Sequence, residues 1–213
     1  TNPNVTEADA SNVVLWEVSD DLAGFERLGF TFGRPNISRL ANGKWVVLVP
    51  GGYNSEQNTM SEPQVAPADA DGGSTMFVLD AASGALIRKF EFVSTVSRGL
   101  TTPTMGDYQL DYIDEFAVAG DLQGNLWRFD LADPNPINWS VERMFRPAVE
   151  FAQPITAAPR LFGDPVTGGI IAVVGTGKYL EPADRSIVGM PTQSYYGIRD
   201  YGKGSPNYPI LRT

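Results

Sequence analysis

The sequence predicts an all-β fold, made of the repeated short-stranded blades of a β-propeller, and three observations carry that prediction. Short runs rich in β-branched and aromatic residues recur along the chain, each bounded by Gly, Pro, Asn or Asp. The runs repeat as a unit of about 40–60 residues, the period of propeller blades. With 22 Gly and 16 Pro among 213 residues, the composition suits many elements joined by turns rather than long helices.

In chain order the predicted strands are NVVLWEVSD (12–20), KWVVLVPGG (44–52), TMFVLD (75–80), LIRKFEF (86–92), DEFAVAGD (114–121), NLWRFDL (125–131), GIIAVVGTG (169–177) and SYYGIRD (194–200). WVVLV and IIAVV are continuously apolar, the pattern of strands buried on both faces where sheet stacks on sheet. PADRSIVGM (182–190) is too short for an amphipathic helix and contains a Gly.

Three segments align as repeats. Each opens on a proline (Pro35, Pro103, Pro159), continues through an apolar strand ending in glycine (Gly51, Gly120, Gly175), and closes an aromatic-bearing strand on aspartate (Asp80, Asp130, Asp200). The blade-like units so defined are 33–92, 101–145 and 153–200, and 12–20 reads as the last strand of a further unit. Unequal spacing is taken up by insertions, chiefly 54–73. A blade's apolar faces are covered only by its neighbours, and rings need about four to eight blades. Residues 1–213 are therefore expected to form part of one propeller domain, either a piece of a longer chain or a ring completed by another. The start within a blade and the end at PILRT without a terminating signal favour the piece.

Composition removes several chemistries. With no Cys and no His, the chain has no disulfides, thiolate zinc sites, cysteine nucleophiles or Ser-His-Asp triads of its own. A formal net charge of −9 works against nucleic acid or anionic lipid as the main partner and makes cations the natural small ligands. No apolar run reaches the length of a transmembrane helix, and TNPNVTEADA lacks the basic start and apolar stretch of a signal peptide.

DYQLDYIDE (107–115) places side-chain oxygens at loop positions 1, 3, 5 and 9, on Asp107, Gln109, Asp111 and Glu115. Calcium takes six to eight oxygens, and in the EF-hand loop position 7 supplies a backbone carbonyl, here that of Ile113. Two departures weaken the match. Gln109 stands where Asp or Asn is usual, and Tyr112 stands at the sixth position, where a positive φ favours Gly. The competing reading is a solvated acidic turn, and a one-residue slip would put Asp114 in place of Glu115.

Other motifs read as structure. GDLQGNLWRFDL (120–131) is a hairpin in which Asp121 accepts turn N–H groups, Gly124 supplies a positive φ, and Trp127, Phe129 and Leu131 share one face. PADADGG (67–73), with Asp69 and Asp71, has no ninth-position carboxylate and reads as an insertion loop. GTGKYLEP (175–182) has the Gly and Lys of a phosphate loop but not its full spacing or following helix. GGYNS (51–55) reads as a blade turn.

The runs LGFTFGRPNISRLANGKWVVLVPGGYNS, MFVLDAASGALIRKF, EFAVAGDLQGNLWRFDL, VVGTGKYLEPAD and QSYYGIRD together resemble, in order, the C-terminal propeller of PilY-type proteins, over essentially all of 13–200. These are type IV pilus biogenesis factors and tip-associated adhesins. The resemblance implies a modified, quinoprotein-like, seven-bladed propeller, of which this chain covers about the second half. It also implies a calcium loop on Asp107, Gln109, Asp111, Ile113 and Glu115, with calcium as cofactor and a part in the control of pilus extension and retraction. It implies a non-enzymatic protein at the cell surface or pilus tip, reached through the periplasm and outer membrane. The partners it implies are minor pilins of the tip complex, a host or abiotic surface, and the rest of the propeller. Two rival readings stand beside it. One is a quinoprotein dehydrogenase using pyrroloquinoline quinone and calcium, since LDAASGALIRKF resembles such a blade segment. The other is a generic binding propeller for a protein or glycan.

Overall fold

A computed structural model describes residues 13–31, 33–53, 73–92, 99–147, 153–166, 169–180, 182–186 and 188–202. Asp69, Asp71 and nearly all of the 54–73 insertion lie outside them. The described residues form eleven strands in three antiparallel sheets, each a meander in chain order. The first sheet is β1 (Asn36–Arg39), β2 (Trp45–Pro50), β3 (Thr75–Asp80) and β4 (Leu86–Glu91). The second is β5 (Thr104–Gly106), β6 (Phe116–Gly120), β7 (Leu126–Asp130) and β8 (Ser140–Phe145). The third is β9 (Arg160–Gly163), β10 (Ile170–Gly175) and β11 (Tyr195–Asp200).

The repeated residues fall at strand ends for local physical reasons. Pro35, Pro103 and Pro159 each precede the first residue of a sheet, where an extended φ suits proline and no N–H is missed. Asp80, Asp130 and Asp200 close the third strand of each sheet. Each turns its carboxylate onto the N–H two residues ahead, of Ala82 (3.1 Å), Ala132 (3.1 Å) and Gly202 (3.0 Å). The aspartate thus ends the strand by offering the backbone a turn bond in place of a ladder bond.

Alternation sorts the second sheet's side chains into two cores. Ala117, Ala119, Trp127, Phe129 and Leu131 pack with Leu48, Met76, Val78, Phe90 and Phe92 of the first-sheet region. Phe116, Val118 and Leu126 point the other way and pack with Ile155, Ala172 and Val174 beside the third sheet. Phe129 is met edge-on by Phe90 at 5.3 Å and Phe92 at 6.1 Å. The outer face of the first sheet is covered by a third cluster of Phe25, Val47, Phe77 and Leu79.

The hairpin at 120–131 turns on Asp121, which is fully buried. Its carboxylate accepts from the Gln123 and Asn125 N–H groups (both 2.9 Å), Asn125 Nδ2 (2.7 Å) and Trp127 Nε1 (2.8 Å). Its carbonyl accepts the Ile155 N–H at 2.9 Å, which seats the 153–155 strap that leads into the third sheet. The strap lies so close that a Cβ on Gly120 would stand 2.2 Å from Ile155 Cγ2, and one on Gly124 (φ +85°) 2.6 Å from the Gln153 carbonyl.

Two expectations are corrected. The described part of 12–20 contains no strand. Instead Trp16 donates to the Ala81 carbonyl at 3.0 Å and lies over Gly84, whose missing Cβ leaves the room. The apolar run IIAVV is buried at only two of six β10 positions, because among the described residues the second sheet covers one of its faces. In keeping with the sequence reading of 182–190 as too short for a helix, its described residues include the 3₁₀ turn Pro182–Arg185.

Two substitutions test these cores. Phe129→Ala should lower unfolding free energy by about 3–5 kcal/mol. Asp121→Ala strands several buried donors and should cost about 3 kcal/mol or more, with Asp121→Asn costing less because one acceptor oxygen remains. Urea denaturation followed by tryptophan fluorescence measures both.

Candidate metal centre

Residues 107–115 join β5 to β6, and both ends of the loop are fixed. Phe116 lies across Gly106 so closely that a Cβ there would stand 2.1 Å from the ring. Glu115 N–H donates to the Gly106 carbonyl at 3.0 Å, and the Glu115 carbonyl accepts from Leu131 N–H at 2.8 Å. Asp114 N–H reaches the Arg39 carbonyl at 3.1 Å, tying the loop to the first sheet as well.

Between these anchors the backbone winds around its own carboxylates. Asp107 accepts from the N–H groups of Gln109 (2.9 Å), Leu110 (2.6 Å) and Tyr112 (2.8 Å). Asp111 accepts from Ile113 N–H at 3.0 Å. Glu115 accepts from Tyr108 N–H at 2.8 Å and from Gln109 Nε2 at 3.0 Å. Such tight winding takes Leu110 and Tyr112 to φ of +57° and +67°, a region costing a non-glycine residue about 1–2 kcal/mol. Their side chains are 82% and 92% exposed, so packing does not repay the strain. Tyr112 occupies the sixth position, where the spacing calls for a positive φ.

Asp107, Asp111 and Glu115 each offer an oxygen within 4.8 Å of the others. Ligands on one calcium ion, each at about 2.3–2.6 Å, lie no more than about 5.2 Å apart, so a single ion can touch all three. Gln109 is in place but presents its N–H₂ to Glu115, and a half-turn of the amide would present its oxygen instead. Ile113 has its N–H held by Asp111. Asp114 is not part of the group: its carboxylate turns away to accept a hydrogen bond from the Ser38 hydroxyl, which removes the slipped register. Burial raises the Glu115 carboxyl above its ordinary range, and the charges of Asp107 and Asp111 push it the same way against hydrogen bonds from Tyr108 and Gln109. Burial likewise raises Asp114, with the Ser38 hydroxyl opposing.

A set of hard oxygen donors around a compact negative charge suits a hard cation. With no His or Cys in the chain, nothing here suits a soft metal. Tyr108 is a residue the sequence reading missed. Its side chain is stacked on Phe116 at 4.5 Å. Alternation could not have found it, because Leu110 and Tyr112 share its parity and face solvent. Elsewhere, Lys178 of the glycine-rich 175–182 segment bonds to Asp184 at 3.0 Å, an ion pair rather than a phosphate cradle. Gly52 of the 51–55 turn stands against the Phe30 carbonyl. Among the described residues no helix is long and apolar enough to cross a membrane.

Comparison with known proteins gives one answer from three directions. The family model for the PilY1 β-propeller domain matches residues 5–210. The type IV pilus biogenesis factor PilY1 of Pseudomonas aeruginosa strain UCBPP-PA14 is 34% identical over 92% of this chain and 18% of its own length. A PilY1 homolog of Xylella fastidiosa strain Temecula1 is 27% identical over 89% of this chain and 13% of its own. The crystal structure of the Pseudomonas aeruginosa PilY1 C-terminal domain superposes with a TM-score of 0.73 at 32% identity, covering 89% of this chain and 40% of that one. The chain thus spans less than a fifth of these curated relatives. Three stacked antiparallel meanders and a match across nearly the whole sequence place this chain in the PilY1 β-propeller family.

Proposed function

We propose that this chain is the part of a type IV pilus biogenesis protein in which a non-enzymatic propeller carries a regulatory calcium site. The observation behind the metal is the 107–115 loop, wound through two positive-φ residues so that three carboxylates converge within 4.8 Å. The names of the relatives support the pilus role and do not favour the quinoprotein reading. Asp107, Asp111 and Glu115 would supply charged oxygens, Gln109 its amide oxygen, and Ile113 its carbonyl. Calcium would neutralise side chains that otherwise repel one another and hold the loop closed. By this reading the protein acts at the cell surface or pilus tip, alongside minor pilins and the remainder of its propeller. There loop closure would bear on assembly, retraction, adhesion and twitching.

Calcium bound only by the folded state stabilises by RT ln(1 + [L]/Kd), about 2.7 kcal/mol at a hundredfold excess. For a domain of this size that raises Tm by about 5–10 °C. Differential scanning calorimetry in millimolar calcium against chelator should show the shift, and Asp107→Ala combined with Asp111→Ala should abolish it. An unshifted melt in the parent protein would refute the metal site.

Gln109→Asp should tighten calcium binding about tenfold, because ligand charge sets affinity in such loops. It should also lower calcium-free stability, since Glu115 exchanges an amide donor for a like charge. Titration calorimetry and paired melts report the two effects. Tyr112→Gly removes the left-handed penalty of about 1–2 kcal/mol at a cost of about 0.5–1 kcal/mol in chain entropy. A gain of up to about 1.5 kcal/mol is expected by chemical denaturation.

A further inference from the structure

We propose that Tyr108 is a positioning residue that couples occupancy of the 107–115 loop to the junction of the second and third sheets, through the buried Arg128–Asp200 pair. The proposal rests on the calcium reading and adds a route by which binding is felt outside the loop.

The backbone of Tyr108 belongs to the metal loop. It lies between Asp107 and Gln109, and its N–H donates to Glu115 at 2.8 Å. Its side chain belongs to the interface. The ring stacks on Phe116 with planes 28° apart, and Gly202 lies beside it, where an added Cβ would stand 3.7 Å from the ring. Its hydroxyl donates to the Asp200 carboxylate. One residue thus faces both the candidate ligands and the last residue of β11.

Asp200 is where the third sheet meets the second. Its Oδ2 accepts Arg128 Nε from β7 at 2.9 Å, and the two side chains are 2% and 3% exposed. The Arg128 guanidinium lies 4.9 Å over the Phe116 ring and 5.8 Å over the Tyr108 ring. A buried ion pair holds only while its remaining hydrogen bonds are complete, and Tyr108 supplies one of them together with part of the cation's aromatic roof. The Tyr108 hydroxyl thereby joins this loop to the third sheet through a side-chain hydrogen bond.

The physical sequence is short. Three carboxylates drawn together repel, and two residues of the loop sit in a costly backbone region. A cation offsets the repulsion, so occupancy sets how often the loop opens. Each opening withdraws the phenol from Asp200 and the ring from Arg128, leaving a buried pair partly unsatisfied. Occupancy is therefore transmitted as local stability of β11, some ninety residues along the chain from the loop.

Hydrogen exchange on the full chain, with millimolar calcium, magnesium or chelator, tests this alongside titration calorimetry. In the parent protein calcium should slow exchange within 107–115 and also across 195–202, the latter about fivefold or more. Tyr108→Phe keeps the ring and should still bind calcium within about tenfold, as reciprocity of coupling requires, and still protect 107–115. Its response at 195–202 should be lost, and Asp200→Asn should lose it too. A parent protein that binds calcium without responding at 195–202 overturns the coupling and leaves the metal site standing. So does a Tyr108→Phe protein whose response there is intact. Absence of any binding heat in the parent protein overturns both.

Discussion

The structure is governed by the fact that the two central strands of its second sheet have no solvent face. Every residue of β6 and β7 is buried, so side chains alternating along them must satisfy a neighbour on either side. Alternation then decides which residue meets which sheet: Ala117, Ala119, Trp127 and Phe129 go to the first, and Phe116, Val118 and Leu126 to the third. A polar group inside this layer must bring its partner with it. Arg128 does so through Asp200, and Asp121 through the donors that close its turn. Chemistry that needs exposed charge is driven to the loops at the ends of the strands, and the acidic loop between β5 and β6 is where it appears.

The loop inherits its precision from that burial. Gly106 and Phe116 are locked against each other, Glu115 is held on both sides by backbone hydrogen bonds, and Asp114 is pinned to the first sheet. A short chain between rigid ends is forced to wind tightly, and it pays in left-handed residues that gain nothing from packing. Strain of this kind is found where a conformation serves something besides stability. The same rigid ends let a change in the loop reach neighbouring sheets instead of dissipating in a flexible segment.

Much of this was legible in the sequence, because the signals were local. Pro before the first strand and Asp after the third mark each sheet because both residues act on backbone within two positions of themselves. The candidate ligands Asp107, Asp111 and Glu115 could be read from alternate spacing for the same reason, as could the positive φ at Tyr112. What escaped depends on distant partners. Nothing near Trp16 in the chain says that it will lie on Gly84, so a strand-like run became an extended cover. Nothing near Arg128 names Asp200, 72 residues away. The apolar run of β10 is only partly buried because its burial is set by what lies alongside and not by its own residues.

The strap at 153–155 has a consequence for how relatives of this chain can differ. It rests on two bare glycines, on the Ile155 N–H bond to the Asp121 carbonyl, and on a hydrogen bond between Gln153 and the Tyr196 hydroxyl in the third sheet. A side chain larger than hydrogen at position 120 or 124 has nowhere to go until 153–155 moves, and that segment cannot move without shifting the third sheet. Divergence here is therefore a concerted affair: the glycines, the strap and the facing strand should change together in lineages that change them at all. A covarying block joining the end of one blade to the body of the next would be the historical trace of this steric fit.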